Sequence, residues 1–344
     1  MTNDLHGCTL SLPKNPNISM EIHHQVDEAF WWDIARQCDY ATFFHTPLWH
    51  KLALTTFPEY QDATLGAVLD NGVNVVLPLI QMPGNSLFHT RISTFAACYG
   101  GFVANGEVGA AEQTKMLETA TTQRTSLLRI ISNPTTKNEL PSQIFSSQRE
   151  DFTHIITLDT DFETIFSRFT KGHRSGARKG QRLGVTVRLA RDLQDYQQYF
   201  EAYLDSLARW GDDVSSRYPW ELFANGFALS QEYPNQIKLW LAELEGKVIA
   251  GAWVFYWNQH VDWWHGAAFA DYFQYNANNV LQATIIKDAI ERGYRYYDFN
   301  PSGGHEGVAR SKKHYGAEEW PVYRYALESP VHRMKQRIKA VLKQ

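Results

Sequence analysis

Tyr296-Tyr297-Asp298-Phe299-Asn300-Pro301 has an echo 167 residues earlier in the chain, Arg129-Ile130-Ile131-Ser132-Asn133-Pro134. Each word closes the same succession of elements. In the first half, Thr64 to Leu69 leads through Asp70-Asn71-Gly72 into Val73 to Gln81, two extended runs joined by a strong hairpin signal. In the second, Lys238 to Leu244 leads through Glu245-Gly246 into Lys247 to Tyr256. A third extended run follows each hairpin (Arg91 to Tyr99; His260 to Ala267), then a helical stretch (about Val108 to Gln123; about Asn278 to Arg292), then the short strand that ends in the quoted word. A period this long is domain-sized and far exceeds a solenoid repeat, so tandem related domains are the simplest account.

The helices before each hairpin have readable boundaries. Thr46-Pro47 is an N-cap and first-turn pair for a helix to about Thr56, and Asp161 precedes the stripe Phe162, Ile165, Phe166, Phe169. Asp192 opens a longer helix carrying Tyr196, Phe200, Tyr203 and Leu207 on one face and stopping at Gly211. The run Lys247 to Tyr256 is apolar on both alternating faces and predicts a central, doubly covered strand. Trp253, Trp257, Trp263 and Trp264 then read as core packing, with a stacking platform for a sugar or base as the alternative. The fold class is α/β (α+β), duplicated: a mixed, mostly antiparallel sheet with flanking helices, twice over. We expect a first domain over residues 1–150, a second over 151–330, and a basic amphipathic helix over 331–344 that packs on the first domain.

A chain of 344 residues with 44% hydrophobic and 20% charged residues has the composition of a folded, soluble protein of about two domains. No run approaches the length of a membrane span, and the N-terminal dozen residues lack a basic segment followed by an apolar one. Three scattered cysteines, Cys8, Cys38 and Cys98, support neither a disulfide framework nor a paired-cysteine zinc site. A reducing cytoplasm is expected. The net charge of −4 hides two basic islands: eight Lys/Arg with no acid from Arg168 to Arg191, and five more after His332. Such islands suit a phosphate-bearing ligand or, in the plainer reading, a solvated face. The last helix also suits a position peripheral to the inner face of a membrane, near a lipid-linked acceptor.

The element order, with Tyr297-Asp298-Phe299 and Gly307-Val308-Ala309-Arg310-Ser311-Lys312-Lys313-His314-Tyr315-Gly316, resembles the FemABX-like branch of the GNAT acyltransferase superfamily and is similar to the BioF2-like acetyltransferase group. Val308, Ser311 and Tyr315 replace that branch's usual Leu and two Phe, and its lysine falls on Lys312. Arg174 through Val185 matches an arginine-rich segment ending in Gly-Val, Arg209 an arginine closing the next helix, and Trp49 with Lys51, loosely, an N-terminal tryptophan helix with a nearby lysine. The resemblance implies tandem GNAT-like domains that transfer an acyl group to an amine held near their junction. The donor is an aminoacyl-tRNA or an acyl-CoA and the acceptor a cell-envelope, peptidoglycan-like precursor or a related metabolite. It implies Lys312 as the catalytic cation and Arg209 on acceptor phosphates.

Acyl transfer needs a deprotonated amine, an aligned carbonyl and positive charge where the oxyanion develops. Asp298, at a strand end between aromatics, and His265, after Trp263-Trp264, are the further catalytic candidates, with Glu306 a weaker one. Arg174, Arg178 and Lys179 are the expected phosphate contacts. Gln274 and Asn276 occupy the place of the usual pyrophosphate loop but lack its glycines, which weakens ordinary acetyl-CoA binding. His305-Glu306 begins a zinc-site word whose second histidine is replaced by Ala309, so no metal is expected. Two alternatives stay open: a CoA-dependent acetyltransferase of a small substrate, and a non-catalytic pair binding RNA or an anionic ligand. No DNA partner is implied.

Overall fold

The computed structural model describes residues 20–85, 88–121, 125–211, 217–329 and 333. The first half runs β1 (Glu21–His23), α1 (Glu28–Gln37), α2 (Pro47–Thr56), β2 (Gln61–Asp62), β3 (Leu65–Val68), β4 (Asn74–Leu77), β5 (Ile80–Asn85), β6 (Phe88–Ile92), β7 (Val103–Ala104), α3 (Ala110–Ala120), β8 (Thr125–Ile131) and β9 (Ser147–Thr157). The second runs α4 (Phe162–Arg168), α5 (Lys171–Arg182), β10 (Thr186–Leu189), α6 (Leu193–Trp210), α7 (Trp220–Glu232), β11 (Ile237–Leu244), β12 (Lys247–Trp257), β13 (His260–Ala268), α8 (Ala277–Glu291), β14 (Tyr296–Asp298), α9 (Glu306–Lys313) and β15 (Glu318–Glu328).

Local chemistry sets most of these boundaries. Asp161 and Asp192 accept the backbone N–H of Thr164 and Asp195 at the starts of α4 and α6, and Gly211, at φ 67°, ends α6. Thr46 precedes α2 as expected, but its hydroxyl donates to Phe43 O and makes no cap. The β11–β12 hairpin turns through Glu245 and Gly246, both at positive φ, as a two-residue I′ turn requires. Below Lys247, β12 is buried along its whole length, with Trp253 and Phe255 in one apolar core and Val254 and Tyr256 in another.

Two first-half runs differ from expectation. Val73 to Gln81 is broken at Pro78-Leu79: proline has no N–H for the ladder, and the chain leaves a four-stranded sheet (β1-β3-β4-β7) to enter the larger one as β5. Arg91 to Tyr99 is a strand only to Ile92, and farther on Ala96 and Ala97 adopt φ of 59° and 54°, outside the β region.

The larger sheet has the order β10-β11-β12-β13-β14-β9-β15-β8-β6-β5-β2 among the described residues. Each half contributes one parallel pair, β6 with β8 and β13 with β14. The closing strands are exchanged: β9, from the first half, lies against β14, and β15, the last strand, lies against β8, while β9 and β15 pair antiparallel between them. The expected division after residue 150 falls inside β9, so one sheet runs through both halves. The arginine-rich segment forms α5, whose Gly176, Ala177 and Gly180 face α8. A Cβ on Gly180 would stand 2.6 Å from Tyr275 O and from a Val280 methyl. Gly176 and Gly180 therefore serve helix contact, while Lys179 and Arg182 are exposed. The expected helix over 331–344 lies outside the described residues except Arg333, which is helical. Among the described residues no helix is long and apolar enough to cross a membrane.

Candidate active site

The two parallel pairs differ in one respect that locates the site. β13 meets β14 only over His260–Asp262 against Tyr296–Asp298; β14 then stops, while β13 continues to Ala268 paired on its other edge with β12. Asn300, at φ 59°, turns the chain away and sends Nδ2 back to Trp263 O at 3.1 Å. The strands thus diverge and leave a wedge beside the backbone of β13. Trp263 Nε1, Asn300 Oδ1 and Ser302 Oγ are buried near this divergence without hydrogen-bond partners among the described residues, which leaves polar valence for a ligand. In the first half the same wedge is shut. After the excursion from Ser93 to Tyr99, Gly100 bridges back to Ser132 in parallel, and Gly100 N donates to Ile131 O.

The excursion that shuts one wedge completes the other. Tyr99 donates its hydroxyl to Asp298 Oδ2 at 2.8 Å, across the junction of the halves. Asp298 Oδ1 accepts from Thr153 Oγ1 on β9 at 2.7 Å and from Asn300 N at 2.7 Å. Lys312, 4% exposed, donates from Nζ to Asn300 O at 2.6 Å. Burial pushes the Lys312 ammonium down to about 8, against the opposing pull of Asp298 and Asp151. Burial raises the Asp298 carboxyl, though Thr153, Asn300 N, Tyr99 and Lys312 pull it back. Asp262 lies opposite Asp298 in the parallel register, and burial together with that neighbour pushes its carboxyl well up. Asp262 Oδ2 accepts a long bond from Phe43 N at 3.4 Å, while Oδ1 has no partner among the described residues.

Lys312 and Asp298 are therefore brought together, with Tyr99, Thr153, Asn300 and Asp262 as members that sequence reasoning missed. Asn300 was inside the repeated word; nothing local marked the other three. His265 sits farther along β13, its Nδ1 2.6 Å from Tyr199 Oη and its ring among Tyr203, Tyr218 and Phe223. Burial pushes it down to about 4, so it is neutral at pH 7, with Nε2 unpartnered among the described residues.

The expected binding residues scatter. Trp49 is 1% exposed, donates to Thr94 Oγ1, and packs on Phe95 and Trp264, so it belongs to the core. Lys51 lies on the exposed side of α2 at a pocket with Glu28, His50 and Asp62, none of which belongs to the Asp298 network. Arg174 is tied to the carbonyls of Ser167 and Phe169 at the end of α4, Arg178 lies over the Phe166 ring, and Lys179 is exposed on the outer face of α5. Arg209 binds Asp205, Ser206 Oγ and Ala268 O and stacks on Phe273. Ala268 and Phe273 line a cavity of about 310 Å³ at the uncapped start of α8, together with Asn276, Asn278 and Asn279. Asn276 binds Gln274 O through its amide. Arg209 thus joins the Gln274–Asn279 loop at the outer end of β13, about 20 Å along the strand from Asp262, and Lys312 stands at the inner end.

The duplicated sheet, with one parallel pair open and the other shut, has the fold of tandem GNAT proteins. Residues 167–320 match the family model described as Acetyltransferase (GNAT) domain. Among solved structures the chain is similar to FemX, with a TM-score of 0.66, 14% identity, and coverage of 91% of this chain and 99% of that one. It is similar to the C-terminal domain (DUF2156) of a putative lysylphosphatidylglycerol synthetase from Agrobacterium fabrum (TM-score 0.56, 12% identity, coverage 92% and 95%). A tandem GNAT protein from the clavulanic acid biosynthesis pathway is a third (TM-score 0.52, 11% identity, coverage 90% and 98%). Identities this low establish the fold alone, and it is the duplicated fold that the FemABX-like resemblance implied. No curated protein matches the chain in sequence.

Proposed function

We propose that the protein is an N-acyltransferase that moves an acyl or aminoacyl group from an activated donor to an amine. The observation that carries this reading is the wedge between β13 and β14 with Asp298, Asn300 and Lys312 gathered at its apex. The donor lies along β13, its phosphates at the start of α8 and its carbonyl at the apex. The amine attacks that carbonyl, the new C–N bond forms, and the C–S bond of a thioester or the C–O bond of an aminoacyl ester breaks. Lys312 supplies positive charge to the oxygen that becomes negative, and the proton lost by the amine ends on the leaving group. The resemblance to the FemABX-like branch supports an aminoacyl-tRNA or acyl-CoA as donor and an amine of a cell-envelope, peptidoglycan-like precursor or related metabolite as acceptor.

A radiolabel transfer assay tests this directly. Charged tRNA and acyl-CoA donors are offered in parallel with amine-bearing envelope precursors, and label is expected in a base-stable amide from one donor class. Consumption of neither donor above the enzyme-free control overturns the reading. RNA binding that weakens steeply with salt but gives no turnover supports a binding module instead.

A further inference from the structure

We propose that the large cavity over the exchanged strands binds the acidic portion of an elongated acceptor, and that Arg129 and Arg149 read it. The cavity is about 840 Å³, within the range of sites for drug-sized ligands. Phe57, Tyr60, Phe95 and Tyr218 contribute aromatic wall. Its floor is the exchange itself. On β15, Ala326 lies opposite Arg129 of β8, and Arg324 lies opposite Arg149 of β9. Residues directly opposite share a face, as do residues two apart, so all three arginines project from one side of the sheet.

They are not equivalent. Arg324 is held by Asp151, with Nε and Nη2 at 2.8 and 2.7 Å from Oδ2. Arg129 and Arg149 are exposed, and their guanidinium groups have no hydrogen-bond or ion-pair partner among the described residues. Glu328 is the single acid on the lining. Two unpaired guanidinium forks on one apolar-walled face suit a ligand with acidic oxygens, a phosphate or a carboxylate, which each fork binds through two parallel N–H groups.

Strand β9 links the floor to the wedge. Asp151, which holds Arg324, is one of the two charges that act on Lys312, and Thr153, two residues on, binds Asp298. From Arg149 to Thr153 is about 13 Å of strand. An acceptor whose acidic group sits on Arg149 has to extend along β9 past Thr153 for its amine to reach the wedge. The acceptor role rests on the transfer reading above; the binding does not.

The test is calorimetric titration of the full chain at low ionic strength with inorganic pyrophosphate and, separately, with glutarate. The proteins are the wild type, the Arg129→Gln/Arg149→Gln double variant, and Lys287→Gln as a control from the exposed side of α8. One or both probes are expected to bind the wild type at a single site, at least tenfold more weakly in the double variant and within twofold of wild type in the control. The probe that binds more tightly distinguishes a phosphate from a carboxylate. Absence of binding by both probes, undiminished binding by the double variant, or an equal loss in Lys287→Gln overturns the proposal. Because no donor is used, these outcomes are separate from success or failure of acyl transfer.

Discussion

Lys312→Met is expected to lower the rate of transfer by about 10²–10³, the usual cost of removing a group that stabilises an oxyanion, without lowering stability at pH 7. Lys312 is almost fully buried and its ammonium is pushed down to about 8. A lysine whose pKa falls on folding weakens the folded state at every pH below the folded value. The unfolded chain holds the extra proton up to its own pKa near 10.4, so stability rises as pH climbs through that window. Methionine removes the buried charge and fills similar volume, while Asp298 keeps Tyr99, Thr153 and the Asn300 N–H. The variant's melting temperature should equal or exceed that of the wild type at pH 7, and the gap should shrink toward pH 10. Thermal melts at the two pH values, with initial transfer rates, check both halves of this expectation. A variant that transfers normally removes Lys312 from the chemistry.

Asp298→Ala carries the largest expected effect on stability. It leaves the Tyr99 and Thr153 hydroxyls, the Asn300 N–H and the Lys312 charge without the carboxylate they face. Removing one partner of a buried charged network costs about 3–5 kcal/mol. Tyr99 comes from the first half and Asp298 from the second, so the loss also falls on the junction. Asp298→Asn retains an accepting oxygen and should keep most of the stability while losing part of the transfer rate. Urea unfolding of the two variants measures this; an alanine variant within about 1 kcal/mol of wild type would mean that the network does not hold the halves together, since an unsatisfied buried group alone costs about 1–3 kcal/mol.

What the sequence made legible was what local chemistry decides. The runs Lys238 to Leu244 and Lys247 to Tyr256 form β11 and β12 within a residue, because alternation and a Glu-Gly turn act over a few positions. The helices after Asp161 and Asp192 begin where side-chain caps are available. Arg91 to Tyr99 misled because Thr94, Phe95 and Tyr99 have strand-like propensities, yet the excursion delivers Tyr99 to Asp298 across 199 residues. No local pattern records such a contact, nor the exchange of β9 and β15. The same limit governs the site. Lys312 and Asp298 stood inside family words, whereas Asp262 matters only through its register with Asp298, and Arg129 and Arg149 only through strands that meet from the middle and the end of the chain. Trp49 was a loose match, and its aromatic surroundings claimed it for the core.

The most direct test is a crystal structure of the full chain with a non-transferable donor analogue, either an acyl-CoA thioether ketone or an aminoacyl-adenosine amide. The carbonyl carbon should lie in the wedge between β13 and β14, within about 4 Å of Lys312 Nζ or the Asn300 side chain, the contact distance at which charge acts on a developing oxyanion. An analogue that binds with its carbonyl elsewhere, over the first-half strands or in the arginine cavity, would contradict the account.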